Sequence, residues 1–94
     1  MENKPEGHFV YLLKCADGTL YTGYARDLKK RLSEHNGKSK IDGAKYTRSR
    51  RPVKLLYQEE CGSRSAAQQR EYAIKQLSRL QKQQLIKSSK SASQ

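Results

Sequence analysis

Ninety-four residues, of which 34% are hydrophobic and none is Trp, leave room for one compact domain with a small core. A formal net charge of +11 favours a polyanionic partner, either nucleic acid or an acidic membrane surface. No apolar run approaches membrane-spanning length, no signal peptide is visible, and Cys15 and Cys61 lack metal-ligand spacing, so we expect a cytoplasmic protein with reduced thiols.

The first two segments predict a β-hairpin. Residues 8–13 form an apolar run that is rich in β-formers and too short for a helix. The run ends at Ala16-Asp17-Gly18, which is typical of a hairpin turn. Residues 20–24 are then the returning strand.

A helix and a long basic segment follow the hairpin. Asp27 is placed to cap a helix that carries Leu28 and Leu32 and ends near Asn36-Gly37. Residues 38–52 show no periodicity, and we interpret them as a long loop, because loops of this length in compact domains are usually functional or disordered.

The excess positive charge is concentrated in the middle of the chain. Eleven Lys and Arg lie between Arg26 and Lys54, against three acidic residues, which gives this stretch +8 of the total. We therefore expect contacts to a nucleic acid from Arg26, Lys30, Lys45, Tyr46, Arg48, Arg50 and Arg51.

One more strand and two more helices are predicted for the rest of the chain. Residues 53–59 form the strand, and Ser63 or Ser65 can cap the second helix. Ser78 and Gln81 have the spacing of a capping box that opens a last helix through about Ile86.

The order β-β-α-β-α-α predicts an α+β domain with a small three-stranded, mostly antiparallel sheet flanked by helices. We place this domain at residues 8–87, after an N-terminal extension of residues 1–7. Residues 88–94 form a polar tail without core residues, which we expect to be disordered.

One carboxylate falls on the apolar side of the second helix. Glu71 lies four residues after Ala67 and three before Ile74. A carboxylate facing a core is costly unless it is paired or binds a metal. The two interpretations are a salt bridge to one of the many arginines and a site for a hard cation such as Mg²⁺.

Four other side chains suggest a site for phosphoryl chemistry. Arg31 and His35 lie four apart on the first helix, and a guanidinium there can bind a phosphate with two hydrogen bonds. Tyr11 and Tyr21 lie on the facing strands, where Gly23 leaves room for a ligand. Taken singly, each residue is explained without a site: Arg31 as a solvated charge, His35 as a surface histidine, and the two tyrosines as core residues.

Two motifs and their spacing carry a family resemblance. Phe9-Val10-Tyr11 and Tyr21-Thr22-Gly23 place their tyrosines ten residues apart, and Arg31 lies ten residues beyond Tyr21. Together with Tyr46-Thr47-Arg48 and the segment 64–80, this pattern resembles the GIY-YIG nuclease domain, specifically its small stand-alone YhbQ/YazA-like bacterial group. The resemblance runs from Phe9 to Ile86.

The resemblance implies an endonuclease that hydrolyses DNA phosphodiester bonds with one Mg²⁺ or Mn²⁺, in DNA repair or turnover. Tyr21 would be the general base or proton relay, and Tyr11 would orient the water or Tyr21. Arg31 would stabilise charge on the phosphate, and Glu71 would be the one protein ligand of the metal. His35 would be a further orienting residue. Because a free phenol has a pKa near ~10, this role requires Arg31 and the metal to lower the pKa of Tyr21.

The chain departs from the family pattern at two positions. Phe9 replaces the Gly of the motif, and Tyr24 stands where relatives often carry Lys or Thr. Family members usually gain specificity from an added DNA-binding domain, so here the basic segment would hold DNA through its backbone without reading sequence.

The substrate could be duplex, branched or single-stranded DNA. The main alternative is a non-catalytic module that binds DNA or RNA on the same fold, including association with the ribosome. Membrane binding is least favoured, because no helix pairs its charge with a broad apolar face.

Overall fold

The computed structural model describes residues 6–37 and 50–92, and places six elements in them. In chain order these are β1 (Glu6–Lys14), β2 (Leu20–Asp27), α1 (Leu28–His35), β3 (Lys54–Glu60), α2 (Arg64–Lys75) and α3 (Arg79–Ala92). The predicted α+β order is confirmed. Within the described ranges, no helix has the length and apolar character needed to cross a membrane.

The sheet has the order β2-β1-β3, and both pairings are antiparallel. The central strand β1 is buried on both faces, because successive side chains of a strand point to opposite sides. Val10 and Leu12 face one side, Tyr11 and Leu13 face the other, and all four are at most 1% exposed. This two-sided burial explains why the first strand appears in the sequence as an unbroken apolar run.

Each face of the sheet has its own hydrophobic cluster. On one face, Val10 and Leu12 pack with residues of α2 and α3, namely Ala67, Ile74 and Ile86. On the other face, Tyr11 and Leu13 pack with Cys15, Ala25 and Val53, against Tyr21 and the apolar side of α1. The sheet is thus covered by helices on both sides, and α1 covers the face that carries both motif tyrosines.

The local turn and capping signals form as the sequence predicts. Gly18 has φ +87° in the β1–β2 turn, a conformation that favours glycine. Asp27 caps α1 by accepting a hydrogen bond from the Lys30 amide at 3.1 Å. Asn36 is the C-cap, and Gly37 follows at φ +75°.

The second and third helices also begin at predicted residues. Ser63, rather than Ser65, caps α2 by accepting from the Ala66 amide at 3.1 Å. Ser78 and Gln81 form the expected capping box: the Ser78 amide donates to Gln81 Oε1 at 2.9 Å, and the Gln81 amide donates to Ser78 Oγ at 3.2 Å.

Two expected boundaries are wrong. Strand β1 begins at Glu6, which pairs with Asp27, so residues 6–7 belong to the sheet rather than to an extension. Helix α3 continues to Ala92, so residues 88–92 are helical rather than disordered. The segment beyond Ile86 lacks core residues, but it contains no Gly or Pro that would end a helix.

Candidate active site

Three rings meet on the sheet face that α1 covers. Tyr11 lies opposite Gly23 and Tyr21 lies opposite Leu13, so the two tyrosines are diagonal neighbours on β1 and β2, with ring centroids 6.5 Å apart. The His35 ring lies 5.9 Å from that of Tyr11 and 5.3 Å from that of Tyr21. The fold therefore brings together three of the predicted site residues.

A buried hydrogen bond joins the first motif to helix α1. Tyr11 Oη lies 2.9 Å from His35 Nε2, and His35 is fully buried. The interpretation of His35 as a surface histidine is therefore wrong. The bond links residues 24 apart in sequence, so it fixes α1 against the sheet as well as orienting the phenol.

Gly23 makes room for the Tyr11 phenol. A Cβ at position 23 would overlap the Oη and Cζ atoms of Tyr11 and would lie 2.9 Å from Cε1. The sequence suggested that this glycine allows a ligand to approach. In the structure, the group that approaches is a side chain of the same protein.

Burial sets the protonation of the Tyr11–His35 pair. Burial and the neighbouring Tyr21 raise the pKa of Tyr11 to about 12, although a hydrogen bond from Arg31 acts in the opposite direction. Burial and the charge of Arg31 lower the pKa of His35 to about 4. At neutral pH both side chains are uncharged, so the pair is a neutral phenol–imidazole contact.

Arg31 adds a cation to this cluster. Its Nη1 donates to Glu34 Oε1 at 2.8 Å, and this hydrogen bond together with the nearby Tyr11 raises the pKa of Arg31 above its ordinary value, against the effect of burial. The Arg31 side chain is 31% exposed, whereas the Glu34 side chain is only 8% exposed. Glu34 was not among the predicted site residues, because an Arg–Glu pair three residues apart on a helix is usually a surface contact.

Glu71 lies at the edge of the apolar side of α2. Its neighbours Ala67 and Ile74 are fully buried, whereas the Glu71 side chain is 21% exposed. Its carboxylate forms an ion pair with Lys75 Nζ at 3.1 Å. The partner is thus a lysine of the same helix rather than an arginine. Its negative charge contributes to raising the pKa of Tyr11, so it acts on the site electrostatically.

The residues present fit a metal of one kind only. Within residues 6–37 and 50–92, no three His, Cys, Asp or Glu side chains form a group that could hold an ion. Glu71 offers a single, partly exposed carboxylate, which suits a hard cation such as Mg²⁺ that keeps most of its water ligands. A softer metal that needs several protein ligands does not match this single carboxylate.

A basic groove of about 250 Å³ adjoins the cluster. Its lining combines three cations with two carboxylates: Ala25, Arg26, Asp27, Lys30, Arg31 and Glu34. Lys30 is exposed at the groove, and Arg26 Nε donates to the Gly7 carbonyl at 2.6 Å. Two of the predicted nucleic-acid contacts therefore lie beside Arg31.

The other predicted basic contacts lie elsewhere. Arg50 Nε pairs with Asp17 Oδ2 at 2.9 Å, next to the hairpin turn. Arg51 Nε donates to the His35 carbonyl at 2.6 Å, and Nη2 donates to the Glu34 carbonyl at 3.4 Å. Arg51 thus donates to two carbonyls at the C-terminus of α1, and the Glu34 carbonyl also accepts from the Gly37 amide at 3.0 Å. Lys45, Tyr46 and Arg48 lie outside the described residues.

The GIY-YIG catalytic domain matches residues 7–84 of this chain. The chain therefore belongs to the GIY-YIG family, which is part of a superfamily of nucleases that act on nucleic acids. Proteins similar to it include UPF0213 proteins, whose names assign no activity.

A UPF0213 protein of Desulfotalea psychrophila is 58% identical over 81 residues, which cover 86% of this chain and 72% of that protein. One from Staphylococcus saprophyticus is 53% identical over 79 residues, 84% of this chain and 93% of that protein.

Two solution NMR structures have similar folds. A UPF0213 protein of Bacillus halodurans is 44% identical with a TM-score of 0.54, covering 85% of this chain and 82% of that one. A protein of E. faecalis is 43% identical with a TM-score of 0.59, covering 94% of this chain and 90% of that one.

Proposed function

We propose that this protein is a metal-dependent endonuclease that hydrolyses phosphodiester bonds of DNA, with repair or turnover of DNA as its process. One observation carries the proposal: two phenols, an imidazole and a guanidinium lie next to each other. They belong to Tyr11, Tyr21, His35 and Arg31. These are the positions at which the chain matches the family motifs.

The exposure of the two phenols supports different roles for them. Tyr21 is half-buried, so water and a phosphate can reach it, whereas Tyr11 is 1% exposed. Hydrolysis forms a bond from water to phosphorus, breaks the bond to the 3′ oxygen, and releases one proton from the water. Tyr21 would accept this proton as a phenolate, or as a phenol that passes its own proton on to solvent water, and the leaving 3′ oxygen would take up a proton from solvent. Tyr11, held by His35, would orient Tyr21 or the water.

Charge stabilisation would come from Arg31 and from a metal held by Glu71. Arg31 lines the basic groove, where its guanidinium would stabilise the negative charge that grows on the phosphate oxygens. Glu71 would hold the Mg²⁺ or Mn²⁺, which supplies Lewis-acid stabilisation of the phosphate and of the leaving 3′ oxygen. Lys75, the present partner of Glu71, would have to move aside.

The groove supports recognition of the DNA backbone rather than of bases. Arg26, Lys30 and Arg31 offer cations at one place beside the cluster. Such contacts bind phosphates of any sequence, and their strength falls as salt rises. The substrate class would then depend on the shape of the strand that reaches Tyr21.

A binding module without catalysis is the second candidate, and one observation favours it. Arg31 is already paired with Glu34, and Glu71 is already paired with Lys75. The cluster is therefore electrostatically satisfied without phosphate or metal. Such a module would bind nucleic acid in EDTA and cut nothing.

A cleavage survey separates the two candidates. Plasmid, single-stranded and branched DNA and a matched RNA would each be incubated with the protein in Mg²⁺, in Mn²⁺ and in EDTA. Glu71→Gln tests the proposed metal ligand, and Glu60→Gln, an exposed glutamate on β3, is the matched control. We expect metal-dependent cutting that Glu71→Gln abolishes and Glu60→Gln retains. Binding without cutting in every condition would favour the module.

A further inference from the structure

A buried carboxylate lies inside the site and has no role in the proposed reaction. Glu34 is 6% exposed overall, and its Oε1 accepts from Arg31 Nη1 at 2.8 Å. It also lines the basic groove in which the phosphate would lie. A carboxylate in a site for a polyanion repels the substrate, so its presence there calls for a physical reason.

The contact with Arg31 provides that reason. A guanidinium is a planar fork with five N–H donors, so a bond that fixes one edge also orients the other edges. Glu34 Oε1 occupies one edge of the Arg31 guanidinium. The side chain of Arg31 is thereby held by a buried carboxylate, and both side chains line the groove.

The end of α1 is itself held in place. Arg51 donates to the backbone carbonyls of Glu34 and His35, so the turn that carries both side chains is fixed to the segment before β3. His35 in turn bonds Tyr11. Arg31 is therefore oriented by a carboxylate whose own backbone is anchored.

We propose that Glu34 is a positioning residue, whose buried carboxylate holds the Arg31 guanidinium in the orientation that receives the phosphate. The part of this inference that concerns the phosphate rests on the proposed nuclease function. The orientation of Arg31 by Glu34 does not.

The inference predicts opposite effects on binding and on turnover. Glu34→Gln removes a negative charge from the groove, so DNA should bind roughly twofold to fivefold more tightly at low salt, and the gain should vanish at high salt. The same change weakens a charge-assisted hydrogen bond, so kcat should fall by about ten- to a hundredfold. A variant that is merely damaged in folding would not bind more tightly.

The control is a glutamate with the same kind of partner elsewhere. Glu59 on β3 pairs with Arg70 on α2, outside the cluster and the groove. Glu59→Gln therefore changes the net charge by the same amount, and it should leave kcat unchanged. Glu34→Asp keeps the charge but shortens the side chain, so it should restore the wild-type affinity and only part of kcat.

Three measurements test the inference. Steady-state cleavage in Mg²⁺ gives kcat and KM, titration of a labelled single-stranded oligonucleotide in EDTA gives Kd, and NMR of the arginine side chains gives the rotation rate of the Arg31 guanidinium. Compared with the wild type and with Glu59→Gln, we expect Glu34→Gln to have a lower Kd for the oligonucleotide and a lower kcat. We also expect its Arg31 guanidinium to rotate faster.

The outcomes separate this inference from the proposed function. If the wild type cuts and Glu34→Gln has the same kcat as Glu59→Gln, the inference fails and the nuclease stands. If the wild type cuts nothing, the nuclease proposal fails, and the NMR measurement decides about Glu34. The positioning role is supported if the Arg31 guanidinium rotates slowly in the wild type and in Glu59→Gln but faster in Glu34→Gln. Equal rotation rates in these three proteins overturn it.

Discussion

Gly23→Ala is expected to destabilise the protein through Tyr11. The new Cβ would overlap Oη and Cζ of a phenol that is 1% exposed on the central strand, so the ring must move. Overpacking of this kind costs about 1–3 kcal/mol, and separating Tyr11 from His35 leaves buried polar atoms that cost about 1–3 kcal/mol more. A total of about 3 kcal/mol, in the lower half of the summed range, would be a large part of the stability of a small domain.

Thermal unfolding followed by circular dichroism measures this effect. For a domain of this size each kcal/mol lowers Tm by about 4–8 °C, so we expect Gly23→Ala to lower it by roughly 12–24 °C. Gly62→Ala is the matched control, because its Cβ would have no neighbour within 4 Å, and we expect it to be nearly neutral.

A second variant tests the cause of the destabilisation. Tyr11→Leu removes the phenol that the new Cβ would meet, so Gly23→Ala should cost much less in that background than in the wild type. A Tm for Gly23→Ala within about 2 °C of the wild type would refute the packing described for this pair. Equal costs in both backgrounds would refute Tyr11 as the cause.

Three further predictions concern Arg51, His35 and Glu71. Arg51→Ala should lower the free energy of unfolding by about 1–3 kcal/mol, because it removes the hydrogen bonds that Arg51 donates to carbonyls at the end of α1. Arg50→Ala should change it by less than about 1 kcal/mol, and urea unfolding compares the two variants. Because the pKa of His35 is lowered to about 4 in the folded state, its contribution to stability is complete above the ordinary value of 6.5 and is lost as pH falls toward 4. Urea unfolding between pH 7 and pH 4 should show a decline of up to about 3 kcal/mol that His35→Gln lacks, and an equal decline in both proteins would contradict this. Mn²⁺ should raise the Tm of the wild type and of Glu60→Gln but not of Glu71→Gln, and the same increase in all three would reject Glu71 as the ligand.

The sequence predicted well those features that depend on neighbouring residues. The turn at Asp17-Gly18, the cap at Asp27 and the capping box of Ser78 with Gln81 are set by groups within a few residues of each other. The end of α3 was misplaced because the large apolar residues of the sequence end at Ile86, whereas the helix, which meets no Gly or Pro, continues to Ala92.

The sequence predicted which residues form the candidate site, but it did not predict the contacts between them. The spacing of Tyr11, Tyr21 and Arg31 identified the residues, and the meeting of the two tyrosines on one sheet face follows from the antiparallel register. The burial of His35 and of Glu34 depends on how α1 packs across β1 and β2. A helix of eight residues with two apolar positions does not reveal this packing in its sequence.

The most direct test of the proposed chemistry compares two tyrosines. Single-turnover cleavage of the preferred DNA in Mg²⁺ would be measured for the wild type, for Tyr21→Phe and for Tyr72→Phe, which removes a hydroxyl from a ring on α2 that is 68% exposed. We predict that Tyr21→Phe lowers the rate by at least about a hundredfold while Tyr72→Phe matches the wild type. Equal rates in the three proteins, or cleavage that persists in EDTA, would contradict a metal-dependent nuclease whose proton transfer passes through Tyr21.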